Sequence, residues 1–263
     1  MSLQVISYSK LKAHDEAEIK TLVETTCSSG AFFLDLSSET ESLAHLNPVL
    51  DAQRTFFLDN DLEAKLAYSD EQDGRGYDNF EAVCVQRIKL SRQQQKEGTL
   101  PLPPVLEAVS FQLDEIASFT DRVLNRLSTI IYNSHHLLGS PEVFKREIIL
   151  DSETTNKHPE ISNLCLGLAT APKMTELMPA HLDEDLLTLT FYDEPFLEVQ
   201  DRHTQEWKLV NTCVDGVGNH MPIVNVGETF QEVSGGKLHA PFHRVKMTER
   251  EIDLVMYDFC EGV

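Results

Sequence analysis

The sequence predicts an α+β chain with a mostly β core, a jelly roll or sandwich preceded by helices. Three observations carry this. The first half holds apolar residues at helical spacing, including a long stripe from about Leu106 to Leu138. After roughly Glu160 the rhythm changes to short β-rich segments separated by turn residues. Hydrophobic residues make up 41% of the 263, enough for a sizeable core and too many for a disordered chain. The expected organisation is one domain over 1–263, mainly helical over 1–150, with a jelly-roll core over 151–263.

In the helical part, Asp15 followed by Glu18 has the spacing of a capping box, and Ile19, Leu22 and Val23 then share a face. Gly30 ends that helix, and AFFLDL continues as a short strand. A second helix is expected near Val49 to Leu58, with Val49, Leu50, Gln53, Phe56 and Phe57 on one side. SDEQDGRGYDN is a loop by composition. LPLPP, at Leu100 to Pro104, is a stiff connector into the long helix, whose apolar stripe is packing. His135 and His136 close it, where positive charge suits the helix dipole; adjacent histidines on a helix diverge and chelate poorly. Downstream, ISNLCLGLA, LLTLTFY, FLEVQ, WKLVN, MPIVNVG, FHRVKM and IDLVMYDF read as strands.

The formal charge is −21, which repels phosphate backbones and anionic membranes and excludes nucleic acid as an expected partner. No apolar run is long enough to cross a bilayer, and MSLQVISYSKLKAHDEAE lacks the pattern of a secretory signal. Cys27, Cys84, Cys165, Cys213 and Cys260 are scattered and never form CxxC, as reduced thiols of a cytoplasmic protein would be. A monomer is the default expectation.

The chemistry concentrates in MPAHLDED and PFHRVKM. HxD alone is weak, since about 0.7 such triplets arise by accident in a chain of this composition. Its context adds weight. An alternating strand follows it, and i, i+2 side chains of a strand share a face, so His181 and Asp183 can reach one ion. His243, in a separate predicted strand, can lie opposite them. Alone it would read as a satisfied core histidine. Together the three form the two-histidine, one-carboxylate face that holds non-haem iron and leaves three positions open. Pro241 between His239 and His243 argues for extended chain there, which makes His239 pocket lining or surface. His158, His203 and His220 lie in turn-like segments and read as exposed.

These residues make the chain resemble the Fe(II)/2-oxoglutarate-dependent dioxygenase superfamily, in its isopenicillin N synthase-like branch. The early helix leading to GAFFLDL, the segment TFFLDNDLEAKLAYSDEQDGRGY, the stretch AHLDEDLLTLTFYDEPFLEVQDRHTQEWKLV and the closing MPIVNVGETFQEVSGGKLHAPFHRV occur in the family's order. The resemblance implies a double-stranded β-helix (cupin-like) carrying N-terminal helices, with one long helix as backbone. It implies that His181, Asp183 and His243 are the catalytic metal ligands and Fe(II) the cofactor.

One departure bears on the co-substrate. The family has Arg-x-Ser about ten residues after the distal histidine, gripping a carboxylate. Here that count falls on Asp253 and Val255, in IDLVMYDF. NLCLGLATAP also lacks the family's tyrosine. A carboxylate facing Asp253 would be repelled, whereas an amine of the substrate would pair with it. The residues that bind co-substrate are thus left unassigned, with Arg87, Lys89, Arg244, Lys246 and Arg250 as alternative cations. Arg244 should point away from the metal and be structural. The expected activity is oxidation of a small organic molecule by dioxygen (hydroxylation, desaturation or ring closure), of the kind found in secondary metabolism. 2-Oxoglutarate binding would be atypical or absent. A conventional dioxygenase with a relocated grip, a non-catalytic scaffold, and a cupin-like isomerase or hydrolase with another metal are the alternatives.

Overall fold

Thirteen strands form two sheets among the described residues of the computed structural model, which are 3–70, 75–80, 85–134, 162–169, 178–192, 197–210, 220–245 and 251–260. In chain order they are β1 (Gln4–Ser7), β2 (Ala31–Asp35), β3 (Ser69–Asp70), β4 (Arg75–Phe80), β5 (Val85–Ser91), β6 (Asn163–Ala169), β7 (Met178–His181), β8 (Leu187–Tyr192), β9 (Leu197–Gln200), β10 (Trp207–Leu209), β11 (Ile223–Val226), β12 (His243–Val245) and β13 (Ile252–Phe259). The large sheet runs β1-β2-β11-β8-β13-β6-β5-β4-β3 and the small one β10-β9-β12-β7. Among these residues only β1 and β2 pair in parallel. A large, mostly antiparallel sheet and a small antiparallel one, face to face, make the expected double-stranded β-helix.

The first 150 residues are less purely helical than expected. They supply five strands, β1 to β5, to the large sheet. The predicted loop SDEQDGRGYDN runs into β4, which pairs with β5 from Gly76↔Lys89 to Phe80↔Val85. The boundary at 150 lies outside the described residues, as do His135, His136 and His158.

Three helices cover the outer face of the large sheet. In α1 (Glu16–Ser28), the Asp15 carboxylate accepts from the Glu18 N–H at 2.9 Å. The return half of the capping box is absent, because Glu18 instead accepts from the Ser7 N–H at 2.6 Å and ties the helix to β1. Gly30 ends the helix with φ +67, as its position predicts. In α2 (Leu46–Asp59), Val49, Ala52, Gln53, Phe56 and Phe57 share the buried face. Burying each phenylalanine contributes about 2 kcal/mol before entropy is counted. In α3 (Ser110–Asn133), Leu113, Ile116, Val123, Leu124, Leu127 and Ile131 are completely buried. A short helical turn over Pro104–Glu107 precedes it. The helix lies across β8 and β13, and Tyr257 donates to Asp121 at 3.1 Å to fix that crossing.

The large sheet therefore has two distinct faces. Ile88, Leu166, Leu189, Val255 and Tyr257 pack into the helix side. Val85, Ile223, Leu254 and Ile252 pack toward the small sheet, with Leu197, Val199 and Val245. Between the sheets lies the site. No helix of the described residues is long and apolar enough to cross a membrane.

Candidate metal centre

His181 ends β7 and His243 opens β12, and the two strands pair antiparallel with these residues directly opposite. Their rings lie 4.4 Å apart between centroids, tilted by 56°. Asp183 is two residues past the end of β7, in the turn to β8 rather than in a strand. Its backbone is clamped instead of laddered. The Asp183 carbonyl accepts from the Glu228 N–H at 2.7 Å, and the Leu186 carbonyl from the Gly227 N–H at 2.9 Å. A side chain at Gly227 would place its Cβ 1.8 Å from the Asp185 carbonyl oxygen, so only glycine permits this approach.

The three side chains converge. Asp183 Oδ1 is 3.4 Å from His243 Nε2 and 3.9 Å from His181 Nε2, and one donor atom from each residue lies within 4.8 Å of the others. Each Nδ1 is 3.0 Å from a carbonyl two residues earlier, Pro179 for His181 and Pro241 for His243. With Nδ1–H donating there, the lone pair of each neutral ring sits on Nε2 and faces the carboxylate. Asn225 donates to the other carboxylate oxygen, Asp183 Oδ2, at 3.2 Å. Two imidazoles and one carboxylate, oriented in this way, fit a first-row divalent ion on one face and leave the opposite face free.

Electrostatics agree with this arrangement. Burial alone would raise the Asp183 carboxyl, but the charge and hydrogen bond of His243, the charge of His181 and the Asn225 amide hold it at about 2. Burial would lower His243, yet attraction to Asp183 raises it. His181 is lowered, by burial first and by His243 second. A divalent ion would compete with a proton for His243 Nε2 and pair with the ionised Asp183.

The triad opens on a cavity of about 470 Å³ between the sheets. Apolar Leu197, Ile223, Val245 and Leu254 line it, together with Thr188, Thr190 and Asn225. Asn225 Oδ1 and Thr188 Oγ1 are buried and have no hydrogen-bond partner among the described residues. Such atoms suit a bound polar group or water. Of the lining carboxylates, Asp185 accepts from Cys260 at 2.9 Å and Asp258 from Cys165 at 3.3 Å, with Lys89 3.2 Å from Asp258. Burial, then repulsion from Asp258, pushes Asp185 up to about 7.

No family model matches the chain. Sequence relatives do. A 2-oxoglutarate-dependent dioxygenase of Dothideomycetidae sp. is 24% identical over 92% of this chain and 75% of its own length. An oxidoreductase of Penicillium aethiopicum is 25% identical over 95% of this chain, which spans 60% of that relative. Among solved structures, the dioxygenase for auxin oxidation of rice superposes with a TM-score of 0.73 at 18% identity, covering 99% of this chain and 83% of that one. Sequence and fold together are thus similar to those of 2-oxoglutarate-dependent dioxygenases.

The far wall of the cavity differs from the sequence expectation. Along β13, Leu254, Met256 and Asp258 line the cavity. Asp253 and Val255 point the other way. Asp253 pairs with Arg54 of α2 and lies near Gln53, and Val255 is in the helix-side core. Counting residues from His243 through the turn puts the pair one position off, and in a strand one position exchanges the faces. Substrate contact by Asp253 is thereby corrected, and so is the repulsion of a carboxylate by it.

The remaining candidates separate cleanly. Arg87 and Lys89 line the cavity. Arg244 bonds Glu198 at 2.8 Å and stacks 4.3 Å from the Trp207 ring, the structural role expected. Lys246 and Arg250 lie outside the described residues. His239 is not part of the cavity wall, and its N–H bonds the Thr26 carbonyl at 2.9 Å. Asn225 and Thr188 are site residues that sequence reasoning does not single out, although Asn225 falls two residues before the Gly227 turn of the resembling segment.

Proposed function

We propose that this protein is a non-haem Fe(II)-dependent oxygenase that oxidises a small organic molecule with dioxygen and 2-oxoglutarate, with His181, Asp183 and His243 as its metal ligands. The observation that carries the reading is the convergence of His181 Nε2, His243 Nε2 and Asp183 Oδ1 at the mouth of an apolar cavity. Bound iron would supply the oxidising power, with 2-oxoglutarate giving two electrons as it becomes succinate and carbon dioxide, one oxygen atom going to succinate and one to the substrate.

The chain's own residues do the rest. The carbonyls of Pro179 and Pro241 hold both imidazoles in the ligating tautomer. Asn225 fixes the carboxylate so that Asp183 presents one oxygen to the ion. Leu197, Ile223, Val245 and Leu254 exclude water and hold an apolar part of the substrate beside the metal face. Thr188, Thr190 and Asn225 give a few polar points for orientation, as small-molecule sites do. Secondary metabolism and a cytoplasmic setting complete the reading, supported by the fungal relatives and by cysteines Cys27, Cys165 and Cys260 that are free.

The test is anaerobic titration with Fe(II), followed by oxygen uptake with and without 2-oxoglutarate across a panel of small molecules. One Fe(II) per chain and uptake that needs 2-oxoglutarate are expected. A protein that binds no Fe(II), or that turns over equally without oxygen, would not be an oxygenase.

A further inference from the structure

Strand register lays a polar row across the cavity wall. Asn225 of β11 stands opposite Thr188 of β8, and Thr188 stands opposite Asp258 of β13. All three line the cavity, and they are 4%, 2% and 7% exposed. Their strand neighbours Leu187, Leu189, Tyr257 and Phe259 pack into the helix side, so the row faces inward between the sheets. The next row runs Ile223, Thr190, Met256, Cys165 and Lys89.

The row is short of donors. Asn225 donates its amide N–H to Asp183 Oδ2 at 3.2 Å; an ionised carboxylate only accepts, so the amide oxygen Oδ1 is the end left over. That oxygen and Thr188 Oγ1 are buried without a hydrogen-bond partner among the described residues. Asp258 receives the Cys165 thiol at 3.3 Å and the Lys89 ammonium at 3.2 Å on the same oxygen, Oδ2, and its Oδ1 takes neither. A ligand group that completes the row must bring N–H or O–H to it. Charge narrows the choice. Asp185 lines the same cavity and repels Asp258, and a single lysine faces these two carboxylates. Arg87 stands two rows away. An anion is disfavoured there and a cation is favoured. Adjacent strands lie about 4.8 Å apart, so one ammonium can reach acceptors on both β8 and β13 at about 3 Å. A hydroxyl has one hydrogen and reaches one of them. A divalent ion with Asp183 carries one net positive charge, but two strand spacings, about 10 Å, separate the Asn225 end of the row from Asp258. Attraction at about 3 Å exceeds repulsion at about 10 Å roughly threefold at one dielectric.

We propose that the substrate is a primary amine with an aliphatic body, its ammonium group bridging Thr188 Oγ1 and Asp258 Oδ1. Leu197, Ile223 and Val245 hold the aliphatic body between that corner and the triad. Thr188 and Asp258 then determine specificity, and Asn225 marks the metal end of the row. That the bound amine is a substrate rests on the reading of His181, Asp183 and His243 as the metal site; the binding itself does not.

The test is a ligand-observed NMR titration of the full chain, with and without Fe(II) under anaerobic conditions. The probes are hexylamine, 1-hexanol and hexanoate, which share an aliphatic body and differ in the charge of one end. The unchanged chain should hold hexylamine about tenfold or more tighter than 1-hexanol, and hexanoate weakest. Asp258→Asn should weaken hexylamine by about tenfold or more, the loss of one charge-assisted pair. Thr188→Val, close in shape and without the hydroxyl, should weaken it by about fivefold and decides the matter should Asp258→Asn fail to fold. Glu16→Gln, on the exposed side of α1, should leave it unchanged, which separates the cavity from the acidic surface at large. The site is overturned if the unchanged chain holds hexylamine no tighter than 1-hexanol, or if either cavity variant, once folded, holds it as tightly as the unchanged chain. With Fe(II) bound, the paramagnetic ion should broaden the resonances of bound hexylamine, and it should not do so in His243→Ala. Amine binding that responds to both cavity variants in a chain that takes up no Fe(II) would leave the amine site standing and remove the metal reading.

Discussion

Each side chain of the triad is held from behind, and this decides what single substitutions do. His243 is the most enclosed of the three, its side chain 6% exposed against 32% for His181. Its imidazole is also raised by Asp183 once the opposing effect of burial is overcome. A group raised on folding stabilises the metal-free protein at low pH, and that contribution is lost as pH rises through the raised value. Metal binding has the opposite sign, because the ion must displace the proton. Fe(II) affinity should therefore fall on acidification, by about tenfold per pH unit once below the His243 value. Asp183, held at about 2, stays ionised throughout that window, so the loss belongs to the histidines. Competition titrations against a chelator between about pH 8 and pH 6 check this, and a flat profile would contradict it. Asn225 acts through Asp183. Asn225→Ala should lower Fe(II) affinity by about 10- to 100-fold without abolishing it, whereas His243→Ala should abolish it.

At the scale of elements, strands are legible where one face is apolar and illegible where it is not. LTLTFY and IDLVMYDF alternate or run apolar, and they form β8 and β13 as their patterns predict. VQRIKLS hides because the residues it turns to the cavity are Val85, Arg87 and Lys89, so its alternation looks like a polar surface segment. The triad is legible as spacing, since strand pairing of β7 with β12 brings together residues far apart in the chain. The register of β13 is not, because no sequence signal tells how many residues the turn after Val245 consumes. The geometry gives that correction a consequence. Asp253→Asn should cost about 1–3 kcal/mol in urea unfolding, since it breaks the pair to Arg54 on the half-exposed edge of α2, and should leave Fe(II) binding intact. Loss of co-substrate binding in that variant, with stability unchanged, would put Asp253 back in the cavity. Gly227→Ala does the reverse. Its Cβ would collide with the Asp185 carbonyl, displace the turn that carries Asp183 and weaken Fe(II) by about tenfold or more.

For the molecule as a whole, the site is a seam. β7 and β12 belong to the small sheet, while Asn225 belongs to β11 of the large one and meets Asp183 in the turn that leads from β7 into β8. Without an ion, the seam holds a carboxylate kept ionised beside two imidazoles, in a protein that already carries a formal charge of −21. A divalent cation would join the two sheets and reduce local repulsion together. Because it binds the folded chain and not the unfolded one, at 100 times its dissociation constant it should add about 2.7 kcal/mol to stability. For a chain of this size that corresponds to a rise in Tm of roughly 5 °C or more. Thermal unfolding with and without Fe(II) under anaerobic conditions measures it, and a chelator should reverse it. The rise should vanish in His243→Ala and survive in Asp253→Asn, because only the first removes a proposed ligand. An equal rise in both variants would mean that the ion screens the acidic surface generally, and that the seam is not where it binds.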